Sequence, residues 1–265
     1  MTKYADILTE KKDRHAIIQL NRPEKMNALS HNLRAEVFDA LKNFEDDDDV
    51  KVIIIRGSGR AFSAGYDLSG ISQIEDERDY VDRRSGLPNV GPIHPGQGQW
   101  PQHLLSGYWQ IWELTKPVIS QVHGYCLAGG TELATMCDLM FIAEDAIIGY
   151  PPVRAMTSVD ILYHPWQMHQ KKVRELLYTG DSLTGLEAVE VGWANKAVPV
   201  DKLCETTEKF ASIPKTISLI KKYLRASTPY LSARSSGKIT FPKDFDILVS
   251  SVSHHPCAKI DFGNS

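Results

Sequence analysis

An α/β fold is predicted for this chain of 265 residues, on three observations. Short apolar segments rich in β-branched residues alternate with segments whose apolar residues recur at helical spacing. Several of the apolar segments run directly into glycine- or alanine-rich turns that open helices. One of them, Lys51–Arg56 (KVIIIR), is apolar without alternation, as expected for a strand covered on both faces.

The elements follow in order. Ala16–Leu20 reads as a strand closed by the turn Asn21-Arg22-Pro23. Residues 29–45 carry Leu33, Val37, Phe38, Leu41 and Phe44 at helical spacing, with Ser30 placed as N-cap. The acidic run Glu45–Asp49 reads as a solvated loop. After the strand Lys51–Arg56 and the stop Gly57-Ser58-Gly59, residues 62–72 read as a small-residue turn into a short helix. Residues 73–103 are polar and rich in Gly and Pro, and read as a long, mobile insertion. Residues 104–114 look helical, Pro117–Val122 is a buried strand, and Gly124–Gly130 is a small-residue turn into the helix Thr131–Cys137. Leu139–Ala143 is a strand, Lys171–Tyr178 and Leu186–Val191 are helices, and Ala197-Val198 is a last short strand. Beyond residue 200 the pattern is helical to about residue 225 and then irregular.

Bulk properties narrow the function class. The apolar content of 42% and charged content of 24% are those of an ordinary globular protein, which argues against wholesale disorder. A formal charge of −3 gives no basic field for nucleic acid or an anionic membrane. No apolar run is long enough to span a bilayer, and the N-terminus has no signal-peptide or transit character. Cys126, Cys137, Cys204 and Cys257 are scattered without a C-x-x-C pair, which speaks for a reducing compartment and against a disulfide framework or zinc ribbon. A cytoplasmic protein is expected.

Two turns carry candidate chemistry. Arg60–Leu68 (RAFSAGYDL) places small residues after a buried strand, where backbone amides can approach an anion. Taken alone, a tight strand-to-helix connection explains it as well. His123–Leu133 (HGYCLAGGTEL) feeds a strand through Gly129-Gly130 into a helix, whose N-terminus offers unpaired N–H groups and a partial positive charge. Glu132 lies in the first turn of that helix. It can serve a ligand held by the amides, or simply complement the helix dipole. No nucleophile elbow, P-loop or intact dinucleotide fingerprint is present. His94 and His103, flanking Trp100 in the insertion, read as ordinary loop residues beside the alternative of a catalytic histidine. His164, His169 and the pair His254-His255 match no ligand spacing, so no metal is expected.

With both turns in view, the chain resembles the crotonase, or enoyl-CoA hydratase/isomerase, superfamily. The resemblance rests on NRPEKMNALS (21–30), GRAFSAGYDL (59–68), KPVISQVHGYCLAGGTELATMCDL (116–139) and LLYTGDSLTGLEAVEVGWANKAVP (176–199), in matching order and spacing over roughly residues 5–200. It implies a spiral of repeated ββα units with a C-terminal helical trimerisation region. The spiral core with its acyl-CoA site would span residues 1–200 and the helical region 201–265. It further implies an acyl-CoA substrate and assembly as a homotrimer or a dimer of trimers. Coenzyme A would be part of the substrate, with no separate cofactor. By position, the backbone N–H groups of Tyr66 and Gly129 would form an oxyanion hole and Glu132 would be the acid/base residue. Lys25, Met26, Ala28, Ala64, Asp67 and Leu68 would line the coenzyme A site.

The chain also departs from the family. Its hydratases carry a second glutamate in a phrase like F-G-x-P-E. Here the phrase is Ile148-Gly149-Tyr150-Pro151-Pro152, and a proline can neither give nor take a proton. Asp160, with Ser158, stands a few residues on and resembles the ring-forming and ring-opening branch of the superfamily. It can equally cap a helix. Three readings therefore stand: a hydratase/isomerase-type enzyme with an altered acid/base set, a β-ketoacyl-CoA C–C hydrolase or ring enzyme using Asp160 and Ser158, and a non-catalytic acyl-CoA-binding protein. The tail that ends SSVSHHPCAKIDFGNS is unlike the family's usual C-terminus.

Overall fold

The computed structural model describes residues 4–68, 107–154, 159, 167–212 and 221. All of these but Lys221 belong to one compact unit, Met1–Lys215. The predicted insertion at 73–103, Asp160, Ser158, His94, His103, Trp100, His164 and the tail lie outside the described residues.

Among the described residues there are two sheets. The larger has six strands in the order β1 (Ile7–Lys12), β2 (His15–Leu20), β3 (Val52–Gly57), β5 (Val118–Val122), β7 (Leu139–Ala143) and β10 (Lys196–Val198). β1 and β2 form an antiparallel hairpin, and every other neighbour pair is parallel. The smaller sheet has four strands of three residues each: β4 (Ala61–Ser63), β6 (Tyr125–Leu127), β8 (Ile147–Gly149) and β9 (Ser182–Thr184). The chain alternates between the two sheets. β3 is followed by β4, β5 by β6 and then a helix, and β7 by β8 and then a helix. That alternation is the ββα repeat expected from the resemblance.

Five labelled helices accompany these strands: α1 (His31–Glu45), α2 (Gly129–Met136), α3 (Gln170–Thr179), α4 (Gly185–Glu190) and α5 (Val200–Ala211). Residues 107–113 are helical as well. α1 begins where predicted, because the Ser30 side chain accepts a hydrogen bond from the Leu33 N–H at 3.1 Å. α4 begins on a reciprocal capping box between Thr184 and Glu187. The core lies between the large sheet and its helices, with Ile53, Ile54, Ile55, Val118, Ile119, Leu33, Phe38 and Leu41 fully buried.

The acidic run does more than face water. Lys11 Nζ reaches Asp47 at 2.8 Å and Asp49 at 3.0 Å, while the buried Lys116 ammonium donates to the carbonyls of Phe44 and Asp47 at 2.6 Å each. Glu45 accepts from both the N–H and the hydroxyl of Thr115. The loop after α1 is thus tied both to the edge strand and to the segment that enters β5.

Candidate active site

The site is built where three of the sequence motifs meet. The first is the turn at residues 21–30. Met26 and Asn27 take positive φ values of 49° and 53° there, which brings the Asn27 side chain inward. Asn27 is fully buried. Its amide donates to the carbonyls of Ser58 and Ala61 at 2.9 and 2.8 Å, and its carbonyl accepts from the Arg22 N–H at 2.9 Å. This one side chain therefore stitches the first motif to the second.

The second motif is held along its length. The Ala64 N–H donates to the Met26 carbonyl at 2.9 Å, and the Leu29 N–H to the Gly65 carbonyl at 2.7 Å. Ser63 Oγ donates to the Asn27 carbonyl at 2.8 Å and accepts from the Gly65 N–H at 3.2 Å. Asp67 receives Arg22 at 2.8 Å and lies 3.7 Å from Lys25 Nζ; Arg22 also donates to the Ala28 carbonyl at 2.7 Å. Lys25, Met26, Ala28, Ala64 and Asp67 are therefore gathered on adjoining backbone. Leu68 follows at the surface, 52% exposed.

The third motif runs from β6 into α2. β4 pairs with β6, so residues 61–63 lie directly against residues 125–126. Gly65 has φ of 104°, and a Cβ there would fall 2.7 Å from the Ala128 Cβ and 3.3 Å from the Gly129 nitrogen. The backbones of Gly65 and Gly129 thus leave no room for a side chain between them, and Tyr66 follows at once. Ala128, which precedes α2, has φ of 51° and ψ of −127°, a region that side chains other than glycine's rarely enter. Its N–H is fixed to the Gly149 carbonyl at 3.0 Å, and its carbonyl accepts from the Thr131 N–H at 2.9 Å. Ala128→Gly is expected to raise stability by about 1 kcal/mol by removing this strain. Chemical denaturation measures it, and a loss of stability would show that the conformation is not strained in solution.

α2 is anchored from both ends of the fold. Ser120 Oγ donates to the Ala134 carbonyl at 3.1 Å, Trp193 Nε1 donates to Thr135 Oγ1 at 3.0 Å, and Asp138 accepts the Val118 N–H at 2.7 Å. All eight residues of the helix are buried. Glu132 is 1% exposed, so its carboxylate is enclosed by protein as it stands beside the helix N-terminus.

The immediate partner of Glu132 is the Tyr66 phenol, which donates to its Oε2. The Tyr66 oxygen is also 3.3 Å from the Tyr108 oxygen, and Tyr108 lies 3.4 Å from the Gly129 carbonyl. The Tyr66 ring packs on Gly129 so closely that a Cβ there would fall 2.6 Å from it, and the Arg34 guanidinium stands 5.4 Å from the ring centroid. Tyr108 is fixed in turn by an edge-on contact with Phe38 of α1, ring centroids 5.9 Å apart. Burial, more than the neighbouring Tyr108 and Glu132, holds the Tyr66 phenol's pKa well above the ordinary tyrosine value. Burial likewise pushes up the Cys126 thiol in the same motif, so it is no ready nucleophile.

Of the predicted site residues, Tyr66, Gly129 and Glu132 come together, and Lys25, Met26, Ala28, Ala64 and Asp67 lie on the connected turns. Asp160 lies outside the described residues. Pro152 lies in the single helical turn Pro151–Arg154, directly after β8, whose Gly149 holds Ala128. Asn27, Ser63, Arg34, Tyr108 and the Tyr66 side chain were not singled out from sequence. Tyr66, Ser63 and Asn27 lie inside the motifs that carry the resemblance, whereas Arg34 and Tyr108 do not. Among the described residues no cluster of three or more His, Cys, Asp or Glu stands as a metal site, and no helix is long and apolar enough to cross a membrane.

The chain is similar to known proteins in sequence and fold. The family model for enoyl-CoA hydratase/isomerase matches residues 10–238. The chain belongs to the enoyl-CoA hydratase/isomerase family. A probable mitochondrial enoyl-CoA hydratase of Dictyostelium discoideum is 34% identical over 229 residues, covering 83% of this chain and 75% of that protein. A hydroxycinnamoyl-CoA hydratase-lyase of Pseudomonas fluorescens is 30% identical over 214 residues, covering 79% and 72%. The crystal structure of an enoyl-CoA hydratase/isomerase from Xanthobacter autotrophicus Py2 aligns with a TM-score of 0.74 at 27% identity, covering 95% of this chain and 86% of that one. The present protein is thus a hydratase/isomerase-family enzyme acting on acyl-CoA, with the crotonase fold expected from its motifs.

Proposed function

We propose that this enzyme holds an acyl-CoA thioester by its carbonyl oxygen between the backbone N–H groups of Tyr66 and Gly129, stabilises the enolate that forms, and uses Glu132 as the acid/base residue. One observation carries the reading: the Gly65–Tyr66 backbone lies against Gly129 at the start of α2, and the buried Glu132 carboxylate stands one turn further on. Amide donors preorganised in this way act where negative charge develops, and losing one typically costs about 2.7–4 kcal/mol of transition-state stabilisation. Coenzyme A enters as part of the substrate, along the turn formed by Lys25, Met26 and Ala28 with Ala64, Asp67 and Leu68. No tightly held cofactor takes part in this scheme. A homotrimer or dimer of trimers in the cytoplasm completes the reading on the family's pattern, and light scattering of the purified chain tests the assembly.

Pro152 in place of a second carboxylate speaks for slow or absent hydration of short, simple enoyl-CoA thioesters. The test is a panel of saturated, 2-enoyl and 3-enoyl acyl-CoA thioesters, from short-chain to aryl, followed by mass spectrometry in water and in deuterium oxide. Binding with exchange or conversion of at least one thioester is expected, together with little hydration of crotonyl-CoA. Rapid crotonyl-CoA hydration that persists in Glu132→Gln would refute the role given to Glu132.

A further inference from the structure

The side chain of Tyr66 is a separate matter from its N–H group. A phenol has one hydrogen, and that of Tyr66 is directed to Glu132 Oε2. The Tyr108 hydroxyl lies 3.3 Å from the Tyr66 oxygen and 3.4 Å from the Gly129 carbonyl, so it packs behind Tyr66 with its own single hydrogen within reach of that carbonyl. The hydrogen bond from Tyr66 to the Glu132 carboxylate is charge-assisted and polarises the Tyr66 O–H. The ring cannot swing freely, because Gly129 packs against it and the Arg34 guanidinium lies over it. Its backbone lies at the proposed oxyanion site and its oxygen lies on the proposed base, so the side chain spans the space between them. The proline at position 152 has no proton to contribute there.

We propose that Tyr66 is the second acid/base group of this site, and that the Tyr66–Glu132 pair carries out allylic proton transfer on a β,γ-unsaturated acyl-CoA. The proposal rests on the reading of Tyr66 N–H, Gly129 N–H and Glu132 above. The Glu132 carboxylate takes a proton from C2, and the C2–H electron pair passes into the thioester carbonyl to give a dienolate. The dienolate closes to a C2–C3 double bond as its terminal pair forms a new C4–H bond with the Tyr66 proton. The proton on Glu132 then returns to the tyrosinate oxygen along their existing hydrogen bond, and the hydroxyl exchanges with solvent when product leaves. Both side chains are restored, no water is consumed, and the product is the α,β-unsaturated isomer. The phenol also takes up a hydrogen-bonding position on Glu132 that a nucleophilic water needs, which favours moving protons over adding water. Its raised pKa keeps the phenol protonated, and so ready to donate, across the neutral range.

The experiment compares the wild-type chain with Tyr66→Phe and Tyr108→Phe, using the 3-enoyl-CoA members of the panel in deuterium oxide. Binding is measured separately by calorimetry with the same thioesters. Wild type is expected to form the 2-enoyl isomer with deuterium at C4. Tyr66→Phe, which keeps the ring on Gly129, is expected to bind within about twofold and to isomerise about 10²–10⁴-fold more slowly. Tyr108→Phe is expected to show a smaller loss, consistent with a positioning residue. Isomerisation by Tyr66→Phe at the wild-type rate would overturn the proposal. So would faster turnover in that variant, which would make the phenol an obstruction, or a wild-type chain that binds these thioesters and leaves C4 unlabelled. Absence of binding by wild type would instead refute the acyl-CoA site itself.

Discussion

Replacing Glu132 by glutamine is expected to lower turnover of every acyl-CoA substrate by about 10²–10⁴-fold while leaving thioester binding nearly unchanged. The substitution is isosteric. The glutamine carbonyl can still accept the Tyr66 hydroxyl, so the 1% exposed position stays filled and hydrogen-bonded. What is lost is the ability to take a proton. Steady-state kinetics should therefore show the loss in kcat, with KM and the melting temperature little altered. Turnover equal to that of the wild type would mean that the reaction's base lies elsewhere. A drop in stability matching the drop in activity would mean that the carboxylate serves structure first.

The second large effect concerns stability. Asn27→Ala is expected to destabilise the fold by at least about 3 kcal/mol, since a buried backbone group left without a partner costs about 1–3 kcal/mol and three such groups depend on this side chain. They are the carbonyls of Ser58 and Ala61 and the N–H of Arg22. The positive φ of 53° adds to the effect, because asparagine tolerates that conformation better than alanine does. Urea unfolding of the two proteins measures the difference. A change below about 1 kcal/mol would mean that water replaces the lost partners.

The longer elements were legible in sequence because their patterns are local. α1 declared itself through Ser30 and a repeat of apolar residues that proved to be buried, and β3 through an uninterrupted apolar run. The edge strand β1 was not read. Only Ile7 is deeply covered and Thr9 partly so, the rest being exposed, so ILTEKK carries little apolar signal. The strands of the smaller sheet carry no strand signal of their own. β4 and β6 fall in or beside the two predicted small-residue turns, and β8 and β9 fall where no element is predicted. Three residues cannot display a period of two. Each of these strands exists because partners far away in the chain supply its hydrogen bonds.

The site divides along the same line. The residues alone determined the family, through the order and spacing of four motifs, and they marked Tyr66, Gly129 and Glu132 and the loss of a carboxylate at Pro152. Backbone chemistry is written locally: glycines and small residues after a strand announce a turn whose amides can meet a ligand, and an acid three residues on announces its reach. Only the tertiary structure decided that the Tyr66 phenol lies on Glu132, across 66 positions of chain, with Tyr108 behind it and Arg34 over it. Side-chain contacts of that kind depend on where separate strands place their ends and on which rotamer the packing leaves open, and no local pattern encodes either.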